Sequence, residues 1–546
     1  MKNRGKDMGK YISVKSIKAS KNVLGAEHIL EDRLCQTPFL NLNGSEGESA
    51  GCIVIKNGGY ILLDFGCELN GGIKLAIQTT SENDTKVRVV FGESVMEALS
   101  ELGEKNSGNY HSIRDITIPA IRLSTQRVGE TGFRFVKLQA VDGDVSIYTV
   151  KAVLEKRDLE YKGTFLSNDE RLNDIWKTAV YTVELNMHDV LLEGVKRDRL
   201  VWIGDMHPEV STVSAVFGED RCVPESLDFV RDTTGKGQWM NNTATYSMWW
   251  IIIHYDWYMH WGNLDYLKEQ TECLKDTCNL AFRWIEEEFL CSPNEMKGFV
   301  DWSSKYTESE EEGRKAIFCI ALDRAAKIFE ILGDLEYANK CIKYKEQLLS
   351  EKIDKTVNKR MSALTVLSGR DSRLAEEVLA GNSPKEMSTF MGYYVLKAKA
   401  KLGDFDDALD IIRSYWGAMS DLGATTYWED FDIEWTENAG RIDEITPEGK
   451  LDIHGDFGKH CYKGFRHSLC HGWASGPAPF LIEEIGGIEI LEPGCKKLKI
   501  SPNLGKLEWV NITYPTPYGI VKIDASKKDG KTETKISAPE EIEILR

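Results

Sequence analysis

Two loops of the sequence combine carboxylates with cationic and aromatic side chains. Residues 191–206 contain Glu193, Asp198, Asp205, Lys196, Arg197, Arg199 and Trp202, and residues 424–466 begin with a run that contains Trp428 and Glu429. A sugar offers hydroxyls to carboxylates and arginine and an apolar face to tryptophan. Hydrolysis of a glycosidic bond needs two carboxyl groups. The loops together predict such a site, although a surface salt-bridge cluster with core tryptophans is the alternative for either loop alone.

The first 160 residues are predicted to form β-strands. Short β-branched or aromatic runs are separated by Gly- and Asn-rich turns, and the four clearest are Tyr60–Phe65, Lys86–Phe91, Phe133–Leu138 and Val145–Leu154. Short strands at this spacing are typical of an antiparallel β-sandwich. Strands are again predicted after Gly487, in a small closing β domain.

Helical periodicity begins after Ser167 and continues to about Gly487. The segment Ser167–Glu170 resembles a capping box, which predicts the start of the first long helix. Further helices are predicted over Thr243–Trp261, Asn263–Leu290, Arg314–Gly333, Leu335–Ile353, Ser388–Gly403 and Phe405–Gly423, with a last one after Ser468. Their short joints favour antiparallel neighbours, so about ten or eleven helices over roughly 320 residues fit an α/α toroid of helical hairpins.

Composition limits the possible partners and compartment. The 546 residues have 68 basic and 86 acidic side chains and a net charge of −18, which disfavours binding to nucleic acid or to an anionic membrane. No segment is apolar over the length of a bilayer, and the N-terminus lacks the apolar core of a secretory signal. The 12 cysteines form no C-x-x-C pair. We therefore expect a cytoplasmic protein with reduced thiols and no metal or other cofactor.

The loop residues also carry a family resemblance. Residues 193–205, read as E-G-V-K-R-D-R-L-V-W-I-G-D, have the spacing of the D-C-P-x-R-E-R-L-x-W-x-G-D signature of the bacterial α-L-rhamnosidases of glycoside hydrolase family 78. Thr426–Glu429 resembles that family's T-x-W-E segment. Further similar stretches are Phe299–Trp302, Ser468–Gly476, Glu508–Val510 and Pro515–Gly519, so the resemblance extends in consistent order from about Gly59 to the C-terminus.

The resemblance implies a multidomain chain and an inverting hydrolase that removes terminal α-L-rhamnose from small, neutral rhamnosides or oligosaccharides. Its fold would be a central (α/α)6 barrel, or toroid, with an N-terminal antiparallel β-sandwich and a small C-terminal β-sandwich. The expected domain limits are an extension over residues 1–25, the first β domain over 26–162, the barrel over 163–487 and the closing β domain over 488–546. The oligomeric state is left open.

The resemblance also assigns roles to residues. Asp198 falls on the general acid and Glu429 on the general base, which for inversion should lie roughly 6.5–9.5 Å apart. The implied substrate-binding residues are Glu193, Arg197, Asp205, Asp301 and His471, with Trp202, Trp302 and Trp428 as an apolar wall that suits a 6-deoxy sugar. This chain departs from the signature at Glu193 (usually Asp), at Gly194-Val195 (usually Cys-Pro) and at Asp198 (more often Glu).

Several alternatives remain open in the sequence. Asp430, Asp432, Glu434 and Glu437 lie close enough to Glu429 to compete for the role of base. His471 is interpreted as a neutral sugar-binding or structural histidine, since no H-E-x-x-H pattern accompanies it. Lys196 is predicted to be a solvated charge, and the tryptophans between positions 249 and 261 to be packing residues. The competing functions are a sugar-binding homologue with a weak or inactive site and an inverting glycoside phosphorylase.

Overall fold

The computed structural model describes residues 10–36, 51–287, 299–301, 308–353, 357–370, 373–460 and 462–546. Among these residues, no helix is both long and apolar enough to cross a bilayer. The chain runs from a β-sheet region through a mostly helical segment to a second β region, as the sequence patterns predict.

The N-terminal region is a seven-stranded sheet in which every described strand pair is antiparallel. Its strands are β1 (Lys10–Ser13), β2 (Ser16–Leu24), β3 (Ile53–Thr80), β4 (Lys86–Gly92), β5 (Asp115–Pro119), β6 (Ser124–Val141) and β7 (Val145–Leu154). The order is β1-β7-β3-β6-β4-β5, and β2 also pairs with β3. All four strands predicted from sequence lie within these elements. The predicted extension contributes β1 and all of β2.

The helical segment contains thirteen α-helices in the described residues between positions 170 and 486. They are α2 (Glu170–Asn186), α3 (Met206–Thr212), α4 (Cys222–Thr233), α5 (Ala244–Trp261), α6 (Leu264–Glu269), α7 (Thr271–Glu286), α8 (Glu308–Leu332), α9 (Leu335–Ser350), α10 (Lys359–Ser368), α11 (Arg373–Leu379), α12 (Thr389–Lys401), α13 (Phe405–Asp421) and α14 (Pro477–Gly486), after a short α1 (Val95–Leu99) in the sheet region. The helices named from the sequence are confirmed, except that Asn263–Leu290 is broken at Gln270 and its last residues lie outside the described ranges.

The start of α2 differs from the prediction. Asp169, not Ser167, is the N-cap, and its carboxylate accepts a hydrogen bond from the Leu172 amide at 3.2 Å. Ser167 instead ends strand β8 (Thr164–Ser167), which pairs with the C-terminal sheet. The capping-box interpretation was wrong because Ser167 pairs with Val510 in the sheet, and Asp169, which is itself a good cap, begins the helix.

The C-terminal region has two small sheets. Their strands are β11 (Ile488–Glu492), β12 (Lys497–Ile500), β13 (Trp509–Thr516), β14 (Gly519–Lys528), β15 (Lys531–Ser537) and β16 (Glu543–Leu545). One sheet has the order β15-β14-β13-β8, and the other β11-β12-β16. Strand β8, which follows the N-terminal region in sequence, is therefore hydrogen-bonded to β13 of the C-terminal region.

Both predicted functional loops are irregular and lie where the helical segment meets the N-terminal sheet. In the described part of residues 424–466, which leaves out residue 461, the regular elements are short 3-10 turns and a two-residue parallel pair, β9 (Ala439–Gly440) with β10 (Leu451–Asp452). Val195 and Cys470 pack into the core of the N-terminal sheet. A Cβ on Gly132 of β6 would come within 2.8 Å of the Lys196 amide nitrogen. This close approach joins the first loop to the sheet.

Candidate active site

The first loop turns back on itself so that Asp198 lies at its tip. Glu193 and Leu200 form an antiparallel bridge, with the Glu193 amide donating to the Leu200 carbonyl at 2.8 Å. Asp198 and Arg199 both have left-handed backbones, with φ of 67° and 49°. Such a conformation is uncommon outside glycine and is tolerated best by Asp and Asn. The turn places the Asp198 carboxyl group beside the guanidinium of Arg197.

Arg197 bridges the two predicted catalytic residues. Its Nη1 donates to Asp198 Oδ1 at 2.7 Å, and its Nη2 donates to Glu429 Oε1. Its Nε donates to the Arg466 carbonyl at 3.1 Å, and the guanidinium lies over the Tyr462 ring. Residues that are far apart in sequence are thus joined by one buried cation.

Glu429 is fixed at its second oxygen and along its backbone. The Ser468 amide donates to Glu429 Oε2 at 3.1 Å, and the Glu429 amide donates to the Ser468 carbonyl at 3.0 Å. Its own carbonyl accepts bonds from Thr389 Oγ1 at 2.7 Å and from Trp473 Nε1 at 2.9 Å. The side chain has no solvent exposure. Both oxygens of its carboxylate therefore accept a hydrogen bond.

His471 lies between Glu193 and Glu429. Its Nε2 is 3.0 Å from Glu193 Oε1 and 3.6 Å from Glu429 Oε1. Burial lowers the pKa of His471 to about 3, so the ring is neutral at physiological pH. With two carboxyl groups facing Nε2, we assign the ring proton to that nitrogen. The neutral histidine expected from the sequence is supported, while its contact with sugar stays a prediction.

Glu193 and Asp205 form a second buried acidic group with Glu209. The Glu193 side chain contacts that of Glu209, and Asp205 accepts a hydrogen bond from the Tyr246 hydroxyl. Burial and the neighbouring Glu209 raise the pKa of Glu193 well above its ordinary range. Burial and Glu193 do the same to Asp205. Burial and the neighbouring carboxyl groups thus favour the protonated forms of these acids, in which a carboxyl group can donate as well as accept a hydrogen bond.

Asp198 differs from the other acids in its exposure. Its side chain is 14% exposed, whereas the Glu193 and Glu429 side chains are completely buried. Burial raises the pKa of Asp198, Arg197 opposes that effect, and Glu429 adds to it. Arg199, the other arginine beside Asp198, contacts Asn70 at 3.0 Å and Glu130 at 3.2 Å. The pKa is accordingly raised, as a proton donor requires.

The separation of the two catalytic candidates is short. One oxygen of each carboxyl group and a ring nitrogen of His471 lie within 4.8 Å of one another. Since each oxygen is one C–O bond from its carbon, the carboxyl carbons lie at most about 7 Å apart. In inverting enzymes the two carboxyl groups lie roughly 6.5–9.5 Å apart. A separation of at most about 7 Å reaches only the lower end of that range.

Three clusters in the described residues have metal-ligand geometry. They are Glu93–Glu97–His454, Glu193–Asp205–His471 and Asp198–Glu429–His471. Lys196 forms ion pairs within the first cluster, and Arg197 forms them within the third. The second consists of a neutral histidine and acids with raised pKa values. Protein cations or bound protons thus already balance these groups, and the absence of a cofactor remains a prediction.

The other predicted binding residues are less closely joined to this centre. Asp301 is buried and accepts hydrogen bonds from Arg360 at 2.9 Å and Ser388 at 2.7 Å. Trp202 packs edge-on against Tyr246, and Trp428 packs edge-on against Phe431.

The indole nitrogens of Trp202 and Trp428 are buried and have no hydrogen-bond partner in the described residues. Trp302 lies outside the described residues. The apolar wall stays a prediction.

Three of the four alternatives to Glu429 have other contacts in the described residues. Glu434 pairs with Lys385 and Asp432 with Lys459, and both acids lie nearer the surface. Asp430 is buried, and its amide donates to His467 Nε2 at 2.9 Å. Of these acids, Glu429 is the one described in contact with Arg197.

Several structural contributors have no strong signal in a single sequence. Lys196, predicted to be solvated, is buried, and that prediction was wrong. Trp473 donates its amide to Glu193 at 3.2 Å, and Ser468 and Glu209 also join the site. The tryptophans of α5 are buried packing residues, as predicted.

Comparison with known families gives the fold a class. Residues 160–369 match the bacterial alpha-L-rhamnosidase 6 hairpin glycosidase domain, and residues 487–544 match the bacterial alpha-L-rhamnosidase C-terminal domain. The fold is therefore that of a six-hairpin glycosidase with a mostly helical core and accompanying sheets. Within this class, the resemblance to the bacterial α-L-rhamnosidases of glycoside hydrolase family 78 is confirmed.

Individual relatives agree with that assignment. An alpha-L-rhamnosidase of Alteromonas sp. (strain LOR) is 24% identical, with 88% of this chain and 55% of the relative covered. The GH78 family rhamnosidase of Bacillus sp. GL1 has a TM-score of 0.72 at 20% identity, over 89% of this chain and 52% of that one. A rhamnosidase from Klebsiella oxytoca with rhamnose bound has a TM-score of 0.64 at 18% identity, over 87% and 95%. The chain spans about half the length of the curated relatives it matches.

Proposed function

We propose that this chain is an inverting α-L-rhamnosidase in which Asp198 is the general acid and Glu429 the general base. The observation that carries the proposal is the bridge made by Arg197. The buried Arg197 guanidinium carries one positive charge and can balance one carboxylate. It nevertheless contacts two carboxyl groups, those of Asp198 and Glu429. Two carboxyl groups in one site with different protonation are the requirement for acid–base cleavage of a glycoside.

The distribution of hydrogen-bond donors supports these two roles. Glu429 receives Arg197 at one oxygen and the Ser468 amide at the other, so its carboxylate is the better stabilised. Burial and the Glu429 charge favour the protonated form of Asp198. Asp198 is then ready to protonate the leaving oxygen from the more open side of the site. Glu429 would accept a proton from the attacking water.

The proposal also includes the arrangement of the domains and the cellular compartment. We propose that the helices form an (α/α)6 toroid flanked by two β-sandwiches, with domain limits near residues 162 and 487. The limit expected at residue 25 is not kept, because β1 and β2 pair within the N-terminal sheet. The cysteines in the described residues are free, which supports the expected reducing, cytoplasmic compartment. The proposed substrate is a small rhamnoside, in keeping with the names of the relatives.

Turnover of 4-nitrophenyl α-L-rhamnoside tests the function, and NMR of the first-formed sugar tests the stereochemistry. We expect release of β-L-rhamnose, which is inversion. Early α-L-rhamnose would show retention and would overturn the base role of Glu429. Turnover that requires inorganic phosphate and yields a sugar phosphate would favour the phosphorylase. Rhamnoside binding without turnover would favour the inactive homologue, and absence of both would overturn the proposed function.

A further inference from the structure

Lys196 is a buried cation beside the site, although it makes none of the contacts described above for Asp198 or Glu429. Its Nζ lies 2.9 Å from Glu93 Oε2 and donates to Glu97 Oε1 at 3.1 Å. It also donates to the carbonyls of Phe465 at 3.0 Å and His467 at 2.7 Å. The ammonium therefore connects the N-terminal sheet region with residues 465–467.

Glu93 contacts the same segment at Ser468 and Leu469. Glu93 follows β4 and has a completely buried side chain. Its Oε2 accepts the Leu469 amide at 2.7 Å, and its Oε1 accepts the Ser468 hydroxyl at 3.4 Å. Lys196 and Glu93 thus hold residues 465–469 from one side by four hydrogen bonds.

Residues 465–469 in turn determine where the Glu429 carboxylate lies. The Ser468 amide and carbonyl both bond Glu429, at 3.1 and 3.0 Å. The Arg466 carbonyl accepts Arg197 Nε at 3.1 Å, and Arg197 donates to the other Glu429 oxygen. Both carboxylate oxygens are therefore positioned through this short segment.

The buried charges of Lys196, Glu93 and Glu97 explain why residues 465–469 are held firmly. Burial lowers the pKa of Lys196, but Glu93 and Glu97 together raise it above its ordinary value. Removal of one member of a buried ion pair leaves the others uncompensated, which is strongly destabilising. Substitution of Lys196 or Glu93 should therefore loosen the hold on residues 465–469.

We propose that Glu93 and Lys196 are positioning residues that fix the Glu429 carboxylate through residues 465–469. The inference rests on the proposed function, since it takes Glu429 to be the base. It gives the N-terminal sheet region a part in the reaction, because Glu93 comes from that region. Displacement of a base by about 1 Å can reduce turnover on the order of 100-fold.

The test compares Lys196→Met, Lys196→Arg and Glu93→Gln with Lys399→Met. Lys399 is an equally buried lysine of α12, paired with Asp407 at 3.1 Å, and belongs to no part of the site. We expect Lys196→Met and Glu93→Gln to reduce kcat on the order of 10- to 100-fold and to shift the acidic limb of the pH profile. Lys196→Arg should restore part of the loss. Lys399→Met should lower the Tm but keep kcat and the pH profile.

Folded Lys196→Met and Glu93→Gln proteins with wild-type kcat and acidic limb would overturn the inference. If Lys196→Met does not fold, Glu93→Gln carries the test. Crystal structures of these variants give a readout that is independent of turnover. We expect the distance from the Ser468 amide to Glu429 Oε2 to exceed 3.5 Å, and an unchanged 3.1 Å would contradict the positioning role. An inert wild type with the expected displacement would reject the proposed function but keep the structural link.

Discussion

Arg197 donates a hydrogen bond to Glu429, a residue 232 positions later in the chain. This contact joins the two irregular loops of the helical segment into one site. The Arg197 guanidinium also balances the negative charge of the Glu429 carboxylate. The Asp198 carboxyl group lies against the same guanidinium. The pairing supplies the chemical asymmetry on which the proposed mechanism depends.

Substitution of Arg197 tests that asymmetry. Arg197→Lys keeps a cation but cannot make two parallel contacts through a planar fork. We expect kcat for an aryl rhamnoside to fall on the order of 100-fold, since both carboxyl groups lose their alignment. The matched control is Arg199→Lys, two residues away in the same loop but directed at Asn70 and Glu130. Equal losses in both variants would argue against the bridge.

His471 is expected to act as a neutral hydrogen-bond donor and not as a titrating group. Because its pKa is about 3, the pH profile of kcat/KM between pH 5 and 8 should contain no contribution from this ring. His471→Gln places an amide donor near the position of Nε2, whereas His471→Leu removes the donor. We expect higher kcat in the Gln variant than in the Leu variant, with both pH limbs at their wild-type positions. Loss of a limb in the Gln variant would show that the ring titrates.

Gly194 is expected to be required by the turn that presents Asp198. It has φ of 76°, and a Cβ there would lie 2.2 Å from the Arg197 carbonyl oxygen. Gly237 has a similar φ of 73° but open space around a Cβ. We expect Gly237→Ala to cost about 1–2 kcal/mol of unfolding free energy, and Gly194→Ala to cost more and to lower kcat as well. Chemical denaturation and steady-state kinetics of the two variants measure the difference.

The stability of the protein should depend on the ionisation of Asp430. Burial, opposed by Lys459, raises its pKa to about 7, above the ordinary value near 4. Between these values the unfolded chain releases a proton that the folded protein keeps, so unfolding becomes easier as pH rises, and the cost is complete above pH 7. Asp430→Asn cannot ionise and should raise the Tm at pH 8 more than at pH 5.

Asp189→Asn, at a side chain that is 89% exposed, controls for the change in net charge in this experiment. A Tm gain for Asp430→Asn that is the same at both pH values would exclude the ionisation of Asp430 as its cause.

The sequence predicted the order of β and helical regions, because strand and helix periodicities are local. It also predicted that Glu193, Arg197, Asp198, Glu429 and His471 would form one site, and these side chains do meet.

Burial was harder to predict. Lys196 follows the pattern of a surface charge, and only the folded chain brings Glu93 and Glu97 to it. The same long-range packing explains why Ser468 and Trp473 had no clear role in the sequence.

The most direct test of the account compares Asp198→Asn and Glu429→Gln on two rhamnosides with different leaving groups. A general acid matters most when the leaving group is a poor one, so 2,4-dinitrophenyl rhamnoside should largely restore turnover in Asp198→Asn but not in Glu429→Gln. On a rhamnosyl disaccharide, both variants should lose on the order of 10²–10⁴-fold. Near wild-type activity of Glu429→Gln, or rescue of that variant by the good leaving group, would contradict the assignment of acid and base.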